Sequence, residues 1–431
     1  MSDSYSVTSS ESWFSRIKSS IGGIFIAIIL IIVALLVLFF NEGRAVTTSK
    51  SLKEGAAAVV HVPTSPIDPA NAGKLIHFTG MTNTTAKLKD ATFGVEVQAL
   101  TLVRTVEMYQ WKETSKSTTK EKVGGSKETV TTYDYNKEWA GSAISSSDFK
   151  NQAAGHENPG MFPYQAQTLA AKDVTVGDFK IPERAISDLG GGKPLTLDDT
   201  ALTAAPSATP RTTAIVVPIA TATPSPVEGT IATATASPAA VSVDPTKPKL
   251  NEGAFYYGEN PGSPQVGDVR VRFASLAPTE ISVLAAQEGD TIAPYQTKAG
   301  RALETVQVGS ASAAEMFASA QKGNTILTWA LRFGGWLLMF IGLTMIFKPL
   351  VMIGKFVPFI GSMIAAGTGL ISFAIASVVS LVVVAIAWIV YRPLLGIVLL
   401  VIAAALAVFA LMKIRAAKAS LPAVNKAVPA Q

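Results

Sequence analysis

Few side chains in this 431-residue chain are suited to chemistry: it has three histidines, His61, His77 and His156, and no cysteine. Without cysteine there is no disulfide framework, no thiolate metal site and no cysteine nucleophile. None of the histidines stands in a His-Glu-x-x-His or comparable ligand spacing, so no zinc site is expected. Gly190-Gly191-Gly192-Lys193 runs into Pro194 and lacks the upstream glycine of a phosphate loop, which makes it a turn. Ser117-Thr118-Thr119-Lys120 has the Ser-x-x-Lys pattern, but in a polar hairpin tip such a match arises by chance. One loop, His156-Glu157-Asn158-Pro159, combines an imidazole, a carboxylate and an amide. It is the best remaining candidate for a site, against the plainer reading of a hydrogen-bonded structural turn. Asn83-Thr84-Thr85 is a glycosylation sequon with meaning only in a eukaryotic secretory pathway. The expectation is therefore no catalytic residue, no metal and no cofactor.

The elements that must position these groups are dominated by lipid-like composition, with 48% hydrophobic and 16% charged residues. Residues 21–40 form a charge-free run able to cross a hydrocarbon core of about 30 Å. Arg16 and Lys18 precede it and no small-x-small cleavage site follows, so an uncleaved anchor is favoured over a secretory signal. Further apolar runs lie at 326–347, 356–390 and 394–412. From residue 326 onward there are eight basic residues and no Asp or Glu, so the net charge of +5 reflects membrane-flanking charge. No nucleic-acid surface is implied. With four spans, near 21–40, 326–347, 369–390 and 394–412, the positive-inside rule puts every flanking cation except Arg392 on the cytoplasmic side. Residues 349–367 are then an interfacial or re-entrant segment, 1–20 a cytoplasmic N-terminus and 413–431 a basic cytoplasmic tail. Arg332, the lone intramembrane charge, is expected to snorkel to the interface. A segment without intramembrane carboxylates disfavours a pump or cation transporter. Small residues at Gly334, Gly335, Gly342, Gly367, Thr368 and Gly369 would permit close helix packing.

Between the first and second spans, short β-branched and aromatic runs recur, at 57–62, 74–78, 93–97, 268–273 and 280–284. The longest, 100–111, faces 130–139 across a charged connection, which predicts a long β-hairpin. Arg104 and Glu107 then point to opposite faces, while Tyr109 and Trp111 share the Glu107 face. Ser312 with Glu315 predicts a capped helix over 312–322. Residues 201–250 hold eight prolines and no aromatic residue, and read as an extended insert between a first piece of the exported domain, 41–200, and a second, 251–325. The expected fold class is a membrane protein with four transmembrane α-helices, one N-terminal and three C-terminal, plus a large β-rich α+β extracytoplasmic domain.

Several strings in order resemble the transmembrane protein 43 (LUMA) family. They are Asn41-Glu42-Gly43-Arg44-Ala45, Val106-Glu107-Met108-Tyr109-Gln110-Trp111, Tyr135-Asn136-Lys137-Glu138-Trp139 and His156-Glu157-Asn158-Pro159. Val266-Gly267-Asp268-Val269-Arg270-Val271 and Ala387-Trp388-Ile389-Val390-Tyr391-Arg392-Pro393-Leu394 complete the set. The resemblance implies four spans with a large domain between the first two, and a non-enzymatic membrane organiser. The residues it singles out, with Arg332 added from the span, are Glu42, Arg44, Glu107, Tyr109, Trp111, Trp139, His156, Glu157, Asn158, Pro159, Asp268, Arg270, Trp388, Tyr391, Arg392 and Pro393. Expected partners are the lipid bilayer, further copies of the chain and other membrane proteins, with no nucleic acid. The 201–250 insert and the lack of a retention signal fit a bacterial relative, hence a cell (inner) membrane location with cytoplasmic termini. A eukaryotic source would instead imply the endoplasmic reticulum and inner nuclear membrane. The alternative function is a membrane-anchored enzyme or lipid-handling protein that uses the 156–159 loop.

Overall fold

A computed structural model gives the structure of the protein and describes residues 3–122, 126–151, 155–206, 247–355 and 358–393. The chain opens with β1 (Asp3–Glu11) and the 46-residue α1 (Trp13–Ala58), then β2 (Val60–His61), β3 (Leu75–Asn83), β4 (Lys87–Lys89) and β5 (Glu96–Gln98). The long strands β6 (Thr101–Glu121) and β7 (Lys127–Ala140) follow, with β8 (Gln167–Ala170), β9 (Val174–Val176), β10 (Phe179–Ile181), α2 (Glu183–Ser187), β11 (Lys193–Pro194) and α3 (Asp199–Ala204). After the insert come β12 (Lys249–Asn251), β13 (Ala254–Tyr257), β14 (Val269–Leu276), β15 (Glu280–Glu288), β16 (Thr291–Ala293), β17 (Tyr295–Gln296), β18 (Ala302–Leu303) and β19 (Thr305–Val308). Two long helices close the described chain, α4 (Ala313–Gly354) and α5 (Pro358–Tyr391).

Two large sheets build most of the β-domain, beside the two-stranded pairs β4-β5 and β17-β18. In one, β3, β9, β10, β16 and β15 pair in turn and β15 returns to β3, so five strands form a ring, with β19 and β2 at its edges. Its interior is filled by Ile76, Phe78, Val176, Phe179, Ile281 and Val283, with the Phe78 and Phe179 rings stacked 4.5 Å apart. The other sheet runs β1-β7-β6-β14-β13-β12 and packs Phe93, Leu102, Met108, Phe255, Val271 and Phe273 beneath it. Alternation decides these faces: along β14, Val269, Val271 and Phe273 are buried while Arg270 and Arg272 look outward.

The predicted hairpin is present and longer than expected. β6 continues through Lys112–Glu121 and pairs with β7 from Met108↔Ala140 to Glu121↔Lys127, because Thr, Ser and Lys in this stretch need only backbone partners to extend a ladder. The predicted cap at Ser312 is a full capping box with Glu315, and it starts not a short helix but the whole of α4. No break appears at Lys348-Pro349, since α4 runs through Pro349 to Gly354, nor between 367 and 369, since α5 is continuous from Pro358. The expected 349–367 segment is thus divided between the ends of two helices. Inside an apolar run, helix is the conformation that satisfies every remaining backbone group.

α1, α4 and α5 are the three described helices long and apolar enough to cross a membrane. The expected fourth run at 394–412, the tail at 413–431 and most of the 201–250 insert lie outside the described residues. α3 occupies 199–204 and β12 resumes at Lys249, so the ends of the expected insert belong to the domain.

The sheet register brings one further arrangement. β1 pairs with β7 from Asp3↔Tyr135 to Glu11↔Lys127, making a three-stranded arm. At its tip Glu121 accepts hydrogen bonds from Arg16, at the start of α1, and Lys355, at the end of α4. Residues 1–20, expected across the membrane from the β-domain, here touch it.

Candidate functional site

The three long helices meet at the boundary between bundle and β-domain. Close approach there depends on small residues: a Cβ on Gly43 would lie 2.6 Å from the Tyr391 ring, and one on Gly342 would lie 2.8 Å from Ile31 and 3.0 Å from the Ala27 carbonyl. Of the small residues expected to pack, Gly335 and Gly342 face α1, whereas Gly334, Gly367 and Gly369 meet no neighbour among the described residues.

One carboxylate lies at the centre. Glu42 of α1, 1% exposed, accepts from Arg332 of α4 through Nε (2.6 Å) and Nη2 (2.9 Å), and from Trp388 Nε1 of α5 (2.8 Å). The Arg332 guanidinium also lies over the Trp329 and Trp388 rings, 4.8 and 5.8 Å from their centroids. Arg332 therefore does not snorkel. Its counter-ion comes from α1, a segment the count of carboxylates after residue 326 left out.

Two residues further along α1, Arg44 donates to Asn324 Oδ1 (3.0 Å), Thr328 Oγ1 (3.0 Å) and Asn41 Oδ1 (3.2 Å). Asn41 in turn donates to the Thr328 carbonyl, and Asn324 to the Ala45 carbonyl. Asn41, Asn324, Thr328 and Trp329 were not singled out from sequence, yet a signal existed. Asn324, Thr328 and Arg332 recur every four residues, a polar stripe entering an apolar helix. Tyr391 packs on Gly43 and on Phe39 at 5.5 Å, the Arg392 amide donates to the Trp388 carbonyl, and Pro393 is exposed.

The remaining family-motif residues form two other groups. On the outer face of the second sheet, Glu107 accepts from both Arg270 and Arg272, and Arg270 lies 4.3 Å from the Trp139 ring, which packs on Tyr109. Arg104 points the other way and pairs with buried Asp90, as the alternation requires. Asp268 accepts from Tyr256 Oη (2.6 Å) and the Gln265 amide, which fixes the turn before β14.

The 156–159 loop closes against the arm. His156 stacks on Tyr135 (4.0 Å) and meets Trp111 edge-on (4.6 Å). Asn158 accepts from the Trp111 amide and donates to the Trp111 and Ile144 carbonyls. Tyr135 donates to Glu113 (2.6 Å), and burial with this bond pushes its phenol up to about 12. Glu157 is exposed and Pro159 half-buried. The imidazole and amide are thus spent on packing and backbone bonds.

These geometries clamp elements together. Both Glu42 oxygens are occupied by donors, and among the described residues no group of three or more metal-capable side chains converges.

A profile of the family described as transmembrane protein 43 matches residues 108–393. The rat transmembrane protein 43 is 32% identical over 395 residues, covering 89% of this chain and 88% of that protein. The human protein is 31% identical over 401 residues, covering 90% and 89%. A transmembrane protein 43 homolog of Drosophila melanogaster is 26% identical over 370 residues, covering 83% and 86%. No solved structure matches the chain. With three membrane-length helices clamped on Glu42, a family match across more than half of its length and relatives over 30% identical along most of it, the chain belongs to the transmembrane protein 43 family.

Proposed function

We propose that this membrane protein is a non-enzymatic scaffold that self-associates and arranges other membrane proteins or lipids through its β-domain. The observation that carries the reading is the clamp at Glu42: α1, α4 and α5 share one buried carboxylate, which holds together the helices that carry the β-domain. A rigid display platform needs such a joint. The polar side chains that could have served catalysis, His156 and Asn158, hold the arm instead. In the proposed topology both termini face the cytoplasm, the β-domain lies beyond the membrane, and 394–412 supplies a fourth span. That topology requires the arm to leave β1, Arg16 and Lys355 once α1 enters lipid, since polar strands do not enter hydrocarbon. The test is mass measurement of the full chain in lipid nanodiscs or detergent at native abundance. Discrete oligomers are expected, and a strictly monomeric particle overturns the scaffold.

A further inference from the structure

His61 and His77 stand 16 residues apart in sequence, which hid them as a pair, but the parallel pairing of β2 with β3 sets them side by side. We propose that they form a two-nitrogen site for a divalent transition cation such as Zn²⁺, Ni²⁺ or Cu²⁺, at the seam where the β-domain joins α1 and α4.

Three observations carry this. The His77 Nε2 lies 2.9 Å from the Ala311 carbonyl, which only accepts, so the proton sits on Nε2 and Nδ1 presents its lone pair. A ring N–H held by a backbone carbonyl is the usual support of a metal-ligating histidine. That lone pair faces the His61 Nδ1 at 3.1 Å. Two imidazole nitrogens about 2.0–2.1 Å from one ion, at angles between 90° and tetrahedral, lie about 2.8–3.4 Å apart, so the separation of the pair matches the bite of a single cation, which both lone pairs meet once the rings tilt toward it. His77 is 6% exposed while His61 is exposed, which leaves water and ion a path from one side.

The protons balance simply. In the neutral pair the His61 Nδ1–H donates to His77 Nδ1. Binding moves that proton to the His61 Nε2, on an exposed ring, and no net proton is released. Water completes the coordination, because no third protein ligand converges among the described residues. The site is therefore exchangeable, unlike a closed structural zinc centre. Imidazole donors select zinc, nickel and copper over magnesium and calcium.

Its position gives the site a consequence. β2 follows the C-cap of α1 at Val59, and Ala311 precedes Ser312, the N-cap of α4. A bound cation would tie the exit of one membrane helix to the start of the other.

The test is calorimetric titration of the untagged full chain in nanodiscs with Ni²⁺ or Zn²⁺ alone, with Cu²⁺ resonance spectra for the ligand nitrogens. One cation per chain with micromolar affinity is expected, two nitrogens in the Cu²⁺ spectrum, and a higher unfolding temperature with Zn²⁺. His61→Gln, at an exposed position, should fold normally and lose at least tenfold in affinity. His77→Gln should do the same where it folds. Absence of saturable binding, equal binding by His61→Gln, or a one-nitrogen spectrum would overturn the site.

Discussion

The Glu42–Arg332 pair differs from a surface salt bridge in what its loss leaves behind. Arg332→Gln strands a carboxylate that is 1% exposed among three helices, and an unpaired buried charge costs about 3–5 kcal/mol. Removing both charges, with Glu42→Gln and Arg332→Gln together, leaves no such charge and should cost less than either single change. Thermal unfolding of the four chains in one detergent gives the cycle, and simple additivity would argue against a clamp. At the arm tip, burial alone would raise the Glu121 carboxyl, but Lys355 and Arg16 outweigh it and hold it below the ordinary carboxylate range. A carboxyl depressed by folding adds stability that is complete above its unfolded value and is lost as pH falls through the folded one. In the clasped chain, the protection of the β1 amides, their exchange referred to that of the unfolded chain at the same pH, should therefore be greatest at neutral pH and fall below about pH 4. The partly exposed tip makes the effect small, under about 1 kcal/mol. Protection that is equal at pH 7 and pH 3 would mean that the ladder, not the ion pairs, holds β1.

Helix seams and strand ladders set what could be read in advance. Gly342 and Gly334 are both helix glycines, yet among the described residues an added Cβ meets the Ala27 backbone at the first and nothing within 4 Å at the second. Gly342→Ala should push α1 and α4 apart and destabilise by about 1–3 kcal/mol, while Gly334→Ala should be neutral or slightly stabilising. Unfolding temperatures of the two variants in the same detergent check this, and equal values would deny the close seam. Sequence could show that small residues line these helices, not which of them face a neighbour, because the apolar pattern runs all round each helix. The capping box at Ser312, the alternation along β14 and the opposed faces of Arg104 and Glu107 were legible, since each depends on residues within one element. The Glu42–Arg332 pair, 290 residues apart, was not, although the polar stripe Asn324, Thr328, Arg332 marked one half of it. Pro349 misled because proline breaks helices in water, where freed backbone groups find solvent, and an apolar surrounding removes that alternative.

At the scale of the whole molecule, the arm and the bundle impose a choice. Arg16 and Glu42 are about 39 Å apart along α1, and β6 covers about 43 Å between Met108 and Glu121, so the arm reaches from the β-domain past the entire apolar run to the far end of the helices. A bilayer around 21–40 would have to occupy the same space as strands rich in Lys, Thr, Ser and Glu. The clasped arrangement and a membrane-spanning α1 therefore exclude one another. β1 could not be foreseen as the arm's third strand, because its Ser and Thr residues offer no apolar stripe and only backbone bonds set its register. The register supplies the test. Val7 and Thr131 are direct partners across β1 and β7, and Thr119 and Thr129 across β6 and β7, in a chain with no native cysteine. Facing strand partners lie at disulfide distance, so both cysteine pairs can close under oxidation when their strands are paired. In sealed vesicles holding the full chain, Thr119→Cys with Thr129→Cys should cross-link, reporting an intact arm, and Val7→Cys with Thr131→Cys should not. Cross-linking of the Val7 pair in those vesicles would keep the N-terminus on the side of the β-domain, deny that α1 crosses the bilayer, and remove the four-span topology with it.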